Sequence, residues 1–431
     1  MGKLRALLAA GGLVVALAGC WPMPGQNADR TSHNPFERSI TSDNVGRLHQ
    51  LWRWDSPDPN VFGPVTSSAG VHVVVPCGMV TLDAATGAER WRGQIPPDAS
   101  VCSLGITTFG SEPYVTADGD RVIGSFAALM VRPPGFLVAE WDTKVFDAAT
   151  GAADGSAPVG FIEAQRGNQL AGLTQGPVGP ALTATVLHLG GLDAAPGRDI
   201  LTETHGTAPV KSDGALTLGS DVVFHSGTGI MATTLSDGTQ GYGVRAFSIS
   251  EARPGCGSAS HPMECPLWVT PTDGRPTAAV LGGGGATAFV RTNAGTLYAL
   301  DAATGAVRWT AGGLGAAGSP ALAGGTLYVP TGDGRIVTFD AAGCGGATTC
   351  TPTGSFATGA TGAVSSPAVA GDVLYATAGG SVFAFEAAAC PAGPCEPLWS
   401  APGSAPPVVS NGRVYVHSDA GLIAYGLPSS P

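Results

Sequence analysis

A short motif that recurs along the chain constrains its fold more than any other feature. Residues 295–309 contain alternating apolar positions, then the turn sequence Asp-Ala-Ala-Thr-Gly, then a second run that ends in tryptophan. Alternation with a period of two indicates a half-buried strand, and glycine adopts the positive φ angle that a tight turn needs. The motif therefore predicts a pair of strands, and it returns at residues 79–91 and 145–151.

Weaker copies extend this repeat along the chain and predict the fold class. The position of the motif's aspartate recurs eight times, at Asp83, Asp147, Asp193, Ser248, Asp301, Asp340, Glu386 and Gly426. The shortest intervals are about 40 residues, which is the length of one four-stranded propeller blade. The chain is thus predicted to be all-β, an eight-bladed β-propeller. A seven-bladed propeller is the alternative, because the copy around Asp193 is poor.

The two ends of the repeat region predict how the propeller closes. The last copy stops at Tyr425 without a tryptophan-bearing strand, whereas residues 48–54 resemble the outer-strand sequences at residues 266–268 and 397–399. We therefore expect an N-terminal strand to pair with the last blade, which closes the ring of blades. The predicted propeller domain spans residues 46–428.

The N-terminus has the pattern of an export signal. Lys3 and Arg5 precede an apolar run from Ala6 to Leu17, which is too short to span a bilayer comfortably. The following Leu-Ala-Gly before Cys20 resembles the bacterial lipobox, which predicts a signal peptide at 1–19, lipidation at Cys20 and a leader at 20–45. An ordinary secretory peptide is the alternative. The predicted location is the bacterial cell envelope, outside the cytoplasm, with membrane contact through the lipid alone.

The other eight cysteines predict disulfide bonds, because an even number in an oxidising compartment is typical of them. Three pairs are close in sequence, and the remaining two cysteines pair by elimination. In the close pairs, each bridge joins the ends of a loop between two predicted strands. A metal site is the alternative, but the spacings lack matching histidines and are unlike zinc knuckles. The predicted pairs are Cys256 with Cys265, Cys344 with Cys350, Cys390 with Cys395, and Cys77 with Cys102.

The charge of the chain excludes one class of partner. The formal net charge is −11, and it becomes more negative when a signal peptide carrying Lys3 and Arg5 is removed. A negative surface opposes binding to a phosphate backbone. No nucleic-acid partner is therefore expected.

The repeat resembles that of the quinoprotein-like β-propellers, also called pyrroloquinoline quinone (PQQ) repeat proteins. The resemblance is strong from Thr277 onward and faint between about Gly155 and Val244, and residues 21–45 look like the opening of quinoprotein dehydrogenases. In that family the repeat is structural, and its tryptophan packs between neighbouring blades. The resemblance thus implies a blade-docking role for Trp52, Trp91, Trp268, Trp309 and Trp399.

The residues expected of a quinone enzyme are missing from the sequence. A dehydrogenase of this family would carry adjacent cysteines against the quinone, calcium ligands and often a Cys-x-x-Cys-His haem segment. The chain contains neither cysteine motif, and no calcium ligands can be assigned from spacing. Nucleophile-elbow, P-loop and His-Glu-x-x-His motifs are also absent. We therefore predict no catalytic residue, no metal ligand and no cofactor; PQQ and calcium belong only to the alternative, a PQQ-dependent dehydrogenase.

One apparent nucleotide motif has a simpler interpretation. Residues 313–318 fit the Gly-x-Gly-x-x-Gly pattern, but dinucleotide binding needs a helix directly after it. Here Ser319-Pro320 and another predicted strand follow. The segment is therefore predicted to be a loop between two blades.

The sequence favours a binding or scaffold protein over an enzyme. The predicted partner is a protein or small ligand at one propeller face, and the predicted state is a monomer. Residues 96–206 depart most from the repeat and are the candidate binding surface, because propeller loops carry specificity. Drifted loops without a binding role are the alternative interpretation.

Overall fold

The computed structural model describes most of the chain after the predicted signal peptide. The described residues are 19–57, 61–75, 78–94, 115–132, 136–156, 161–166, 169–179, 182–191, 198–206, 222–225, 228–234, 242–248, 251–258, 261–388 and 394–428.

These residues form eight β-sheets, each with a core of four antiparallel strands. We number the sheets in chain order. The first four are sheet 1 (Phe62–Ser67, Gly70–Val75, Gly78–Leu82, Glu89–Gln94), sheet 2 (Val115–Asp118, Arg121–Arg132, Phe136–Asp147, Ala153–Ser156), sheet 3 (Phe161–Arg166, Gln169–Gly179, Leu182–Gly191, Arg198–Gly206) and sheet 4 (Val222–His225, Thr228–Thr234, Tyr242–Ser248, Trp268–Pro271).

The remaining sheets repeat this order. They are sheet 5 (Pro276–Gly282, Thr287–Thr292, Leu297–Asp301, Val307–Ala311), sheet 6 (Ala321–Ala323, Thr326–Pro330, Arg335–Asp340, Gly354–Ala357), sheet 7 (Ala368–Ala370, Val373–Ala378, Ser381–Glu386, Trp399–Pro402) and sheet 8 (Ser404–Ser410, Arg413–His417, Gly421–Gly426, His49–Asp55). Short added strands are Cys256–Ser258 and His261–Met263 on sheet 3, Pro394–Cys395 on sheet 6, and His33–Asn34 on sheet 7.

Sheet 8 takes its fourth strand from the N-terminal end of the chain. His49–Asp55 pairs antiparallel with Gly421–Gly426, and Trp54 lies opposite Leu422. A 3-10 turn at Val45–Arg47 leads into this strand. Residues more than 360 positions apart in sequence are thereby joined in one sheet.

The hydrophobic core lies between neighbouring sheets. Contacts through the first two strands join each sheet to the next in chain order, and the first strands of sheets 8 and 1 also touch. Alternating residues of each strand face one neighbour or the other, so most central strands are buried on both faces. The largest cluster joins sheets 7, 8 and 1 with Trp21, Ile40 and Val45 of the leader. Among the described residues, no helix has both the length and the apolar character needed to cross a membrane.

Candidate functional site

The Asp-Ala-Ala-Thr-Gly turns are held together by their aspartates. In the copy at residues 301–305, Asp301 Oδ1 accepts hydrogen bonds from the Thr304 amide and hydroxyl at 3.0 and 2.9 Å, and Oδ2 accepts one from Arg308 at 2.7 Å. Asp83 has the same partners, Thr86 and Arg90. Arg308 and then Thr304 lower the pKa of Asp301 to about 2, so this carboxylate stays charged under ordinary conditions. The repeated aspartate therefore serves the turn.

Tryptophans of one sheet contact the turn of the next sheet. Trp268 Nε1 donates to the carbonyl oxygen of Ala302 at 3.1 Å. Trp52 and Trp91 make the same bond to Ala84 and Ala148 at 3.0 and 2.9 Å. Each of these acceptors directly follows the turn aspartate, so one indole bond recurs at three junctions.

The glycine of the turn gives the indole its space. A Cβ atom at Gly305 would lie 2.5 Å from Trp268 Cε3, and Gly87 and Gly151 stand equally close to Trp52 and Trp91. All three glycines also have positive φ angles between 71° and 74°. The turn therefore needs glycine for two reasons: its backbone has a positive φ angle, and the indole of the neighbouring sheet occupies the space of a Cβ atom.

The two other predicted docking tryptophans contact different partners. Trp309 stacks on Phe339 of sheet 6 with ring centroids 5.8 Å apart. Trp399 Nε1 donates to the carbonyl of Leu48 at 3.1 Å, just before the N-terminal strand of sheet 8. All five tryptophans thus contact the following sheet, or the segment that enters it. Their side chains have a structural role at these junctions.

The leader runs across the first strands of several sheets. Its carbonyl oxygens accept backbone hydrogen bonds of 2.7–2.9 Å, each from a residue in the first strand of a different sheet. The bonds join Trp21 to Thr66, Pro22 to Ala117, Asp29 to Leu281, Thr31 to Leu322 and Ser32 to Val369. The donors lie in sheets 1, 2, 5, 6 and 7. The segment from residue 20 to residue 34 therefore follows the order of the sheets.

Two buried leader side chains fix the end of this path on sheet 8. The Asn34 amide donates to the carbonyls of Gly19 and Val409 at 3.1 and 3.0 Å, which brings the two ends of the path together. Glu37 Oε2 accepts a bond from the Gly412 amide at 2.7 Å. Residues 20–45 were predicted to be a leader outside the propeller, so these contacts were not expected.

Cys20, the predicted lipidation site, is buried where the leader meets sheet 8. Its side chain is 2% exposed and lies beside Asn411, and burial raises the pKa of the thiol. A lipid on Sγ would need this packed position to open, so the described position of residues 19–22 is that of the unlipidated chain.

A cavity of about 450 Å³ lies between the leader and the first strands, and it is the candidate ligand site. Phe62, Pro64, Val115, Pro406 and Pro407 supply apolar walls, whereas Trp21, Arg30 and Ser32 come from the leader. His417 also lines it and contacts the carbonyl oxygen of Gly63 through Nε2 at 2.6 Å. Burial lowers the pKa of His417, so this imidazole is neutral at pH 7.

This cavity does not fit a calcium-dependent quinone. Its described lining contains no aspartate or glutamate, and the part of the chain that the structure describes contains no cluster of metal-ligating side chains. Calcium binds six to eight oxygen ligands, usually with several carboxylates. The residues described at this cavity therefore do not supply a calcium site.

Arg291 is a buried charge that was not predicted from the sequence. It is 0% exposed, and its guanidinium donates to the carbonyl oxygens of Gly318, Pro330, Leu314 and Gly315 at 2.5–3.2 Å. Three of these acceptors belong to the glycine-rich segment 313–318, which links sheets 5 and 6. An arginine directly after the apolar run Ala288–Val290, within the strand Thr287–Thr292, was the available signal. The segment is a loop between sheets, as its sequence predicted.

His72 and Ser67 form the closest histidine–serine pair among the described residues. Ser67 Oγ lies 2.7 Å from His72 Nε2, and Thr81 Oγ1 lies 2.7 Å from Nδ1. His72 is fully buried, and burial, followed by the charge of Arg90, lowers its pKa to about 3. A threonine cannot stabilise an imidazolium as a carboxylate does. The pair therefore satisfies buried polar groups and is no general base.

His72 predicts a loss of stability as the pH falls. Above the pKa of about 6.5 that His72 has in the unfolded chain, the ring is neutral in both states and the free energy of unfolding does not depend on it. Between pH 6.5 and the folded-state pKa of about 3, only the unfolded chain protonates His72, so the unfolded state is favoured as the pH falls. Between pH 7.5 and 5.0 this amounts to a loss of about 2 kcal/mol in unfolding free energy. Urea unfolding should show that His72→Gln removes this dependence and that the exposed His49→Gln does not. An unchanged slope in His72→Gln would contradict the assignment.

Two of the four predicted disulfides lie within the described residues. Cys256–Cys265 and Cys344–Cys350 are bonded, with Cα atoms 4.8 and 5.6 Å apart. Cys395 is also disulfide-bonded. Cys77, Cys102, Cys390 and the turn at Asp193 lie outside the described residues. Disulfides indicate an oxidising, extracytoplasmic compartment.

Comparisons with known proteins agree with this architecture. Residues 263–389 match the PQQ_2 family model, described as outer membrane protein assembly factor BamB. No curated protein matches the chain.

Among solved structures, the quinohemoprotein alcohol dehydrogenase of Comamonas testosteroni has 14% identity and a TM-score of 0.60, covering 97% of this chain and 82% of that one. The enzyme ADHIIG of Pseudomonas putida HK5 has 13% identity and a TM-score of 0.61 at the same coverage. A computationally designed protein, Ika8, has 13% identity and a TM-score of 0.54, covering 88% and 99%. At these identities the likeness concerns the fold alone. The chain is a β-propeller protein that shares its fold with the quinohemoprotein dehydrogenases, and its residues 263–389 match the PQQ_2 model.

Proposed function

We propose that the protein is a binding scaffold of the bacterial cell envelope, lipid-anchored through Cys20 and without catalysis of its own. In this proposal residues 1–19 are a signal peptide, residues 20–45 a leader, and residues 46–428 one monomeric eight-bladed propeller. The N-terminal strand completes the last blade and closes the ring.

The contacts between sheets support eight blades and closure. Eight four-stranded sheets follow one another in contact, and sheet 8 both touches sheet 1 and contains His49–Asp55 from the chain's start. Thr66 of sheet 1 also donates through its hydroxyl to Ser410 Oγ of sheet 8, at 2.9 Å. A seven-bladed arrangement would leave one of these sheets outside the ring.

One observation carries the scaffold function: the buried and turn-forming polar groups identified among the described residues hold the fold together. Arg291 bonds loop carbonyls, Asp83 and Asp301 bond their own turns, and His72 is a buried neutral ring. The cavity beside the leader has no acid paired with His417. A propeller built this way offers surfaces, and its irregular segments are where a partner would bind.

We place the partner surface on the irregular stretch between residues 96 and 206. Its strands Arg121–Arg132 and Phe136–Asp147 are twelve residues long, whereas the strands of sheet 5 have five to seven. Residues 125–132 pair only with residues 136–143, beyond the four-stranded part of sheet 2. The sequence of this two-stranded ribbon is mostly apolar. Such an extension fits a protein partner better than a small ligand.

The test compares the full protein with a matched variant. Residues 126–142 are replaced by Asn-Gly, so that Ser125 and Thr143 keep their pairing and flank a two-residue turn. Chemical crosslinking in cells that make the lipidated wild type should give a discrete complex, and cells that make the shortened variant should lack it. As a control for folding, both proteins should unfold at the same urea concentration. Addition of PQQ and calcium should give neither quinone absorbance nor dye reduction with alcohols or sugars. Turnover with quinone would favour the dehydrogenase alternative and overturn the proposal.

The buried position of Cys20 predicts slow thiol labelling in mature protein made without lipid. Burial and the raised pKa of the thiol should slow maleimide reaction at Cys20 about 100-fold relative to the protein in urea. Asn34→Ala removes the bonds to Gly19 and Val409 and should speed labelling of the folded protein. Ser42→Ala, which removes only an exposed bond to Asp372, is the control. Equal rates in the folded and unfolded wild type would contradict a seated leader.

A further inference from the structure

The cysteine-bounded insertions share one position in the repeat. Each lies between the third and fourth strands of its own sheet, where sheets 1, 2 and 5 have the tight Asp-Ala-Ala-Thr-Gly turn. The insertions are residues 249–267 in sheet 4, 341–353 in sheet 6 and 387–398 in sheet 7. Cys256–Cys265 closes the first and Cys344–Cys350 the second, and the third contains the disulfide-bonded Cys395.

Each insertion adds backbone to the outer strand of the preceding sheet. Met263 pairs with Leu201 in the fourth strand of sheet 3. Pro394–Cys395 pairs parallel with Ser355 and Phe356 in the fourth strand of sheet 6. In the second insertion, the Thr310 amide of sheet 5 donates to the Thr348 carbonyl at 2.9 Å, and the Cys350 amide donates back to the Thr310 carbonyl at 2.8 Å.

The outer strands without such a cover are protected in other ways. In the described part of the chain, the fourth strands of sheets 1, 2, 4, 7 and 8 have no added strand. Each contains a charged residue or a proline, the residue types that discourage edge pairing. Examples are Arg92, Asp154, Pro271, Pro402 and Arg53.

Two of the covered strands differ from these. Gly354–Ala357 has no charge and no proline, and Arg198–Gly206 is the longest fourth strand described, at nine residues. The third, Val307–Ala311, carries one charge, Arg308, which is bonded to Asp301 and Thr287 of its own sheet as Arg53 is bonded to Asp55. An exposed edge of this kind is a template for another strand.

We infer that the disulfide-bounded insertions are edge covers: each disulfide holds its insertion on the outer strand of the preceding sheet, and opening it exposes an edge that pairs with a second copy of this chain. We expect the insertion of sheet 6 to leave this strand when the bridge is opened, because apart from the packing of the bridge itself beside Trp309 a few backbone hydrogen bonds hold it there. A second copy is the matching occupant, since every copy then presents the same unpaired strand and two such edges complement each other.

The test removes the described cover of sheet 5. In Cys344→Ser/Cys350→Ser we expect the Thr310 amide to exchange hydrogen about tenfold faster, and light scattering to detect a dimer that the wild type does not form. Adding Thr310→Pro to this variant removes the outward amide and should restore the monomer, while Thr310→Pro alone stays monomeric. Unchanged protection of the central strands, measured in the same exchange experiment, shows that each variant is folded.

Three results would overturn the inference. Thr310 protection that stays at the wild-type level without the disulfide would mean that the bridge only stiffens its own loop. A dimer that persists in the triple variant would mean that association uses another surface. A double variant whose central strands lose protection would also overturn it, because the bridge would then stabilise the whole sheet instead of covering its edge.

Discussion

Arg291→Met is expected to lower the free energy of unfolding by about 3–5 kcal/mol, because it leaves buried carbonyl groups without donors. The guanidinium gives hydrogen bonds to four carbonyl oxygens around the link between sheets 5 and 6, and methionine fills a similar volume without donating any. Burial lowers the pKa of Arg291 to about 10, so the guanidinium keeps its charge at neutral pH. The substitution therefore removes a charged donor group at every pH near neutral. Urea unfolding followed by tryptophan fluorescence measures the effect.

Arg291→Lys is the matched control for charge. An ammonium group keeps the positive charge but has three donors on one atom, so it cannot reach all four carbonyls in the geometry of the planar guanidinium. We expect the free energy of unfolding of Arg291→Lys to lie between those of the wild type and Arg291→Met. Faster amide exchange at Gly332, which donates to the Leu314 carbonyl, should accompany it. A methionine variant within about 1 kcal/mol of the wild type would show that the bonds contribute little.

Features with a local sequence signal could be predicted from the chain. The alternation before Asp83 and Asp301 predicted the third strands, and the turn glycines predicted their φ angles. Close cysteines such as Cys344 and Cys350 pair with each other because the loop between them is short. The likeness of residues 48–54 to outer strands predicted the partner of Gly421–Gly426. In each case residues near in sequence, or copies of one motif, contained the information.

The leader and the edge covers could not be predicted, because their contacts depend on where the sheets stand relative to one another. The leader's bonds to the first strands use its backbone carbonyls, which every sequence offers, and the buried side chains of Asn34 and Glu37 add bonds to sheet 8. The cover at Thr310 likewise consists of backbone pairs between two sheets. Cys20 shows the consequence: its motif predicts lipidation, whereas only the structure shows that the unmodified side chain is packed away.

Gly305→Ala is expected to be as damaging as Arg291→Met, at about 3–5 kcal/mol, because one methyl group would break the recurring contact between sheets 4 and 5. The new Cβ would lie 2.5 Å from Trp268 Cε3 and 2.7 Å from Thr270 Oγ1. The Trp268 indole would have to withdraw, which would also cost its bond to the Ala302 carbonyl and uncover the apolar surface between the two sheets.

Gly119→Ala separates this clash from backbone strain. Gly119 has a φ of 65°, close to the 74° of Gly305, but a Cβ there would have nothing within 4 Å. Placing alanine in the left-handed region costs about 1–2 kcal/mol at either position, so the difference between the two variants reports the indole contact. We expect Gly305→Ala to unfold at clearly lower urea concentration and to shift the tryptophan emission towards that of exposed indole. Equal losses in the two variants would mean that the glycine serves its turn alone, and that the indole bonds follow from the fold instead of holding neighbouring sheets together.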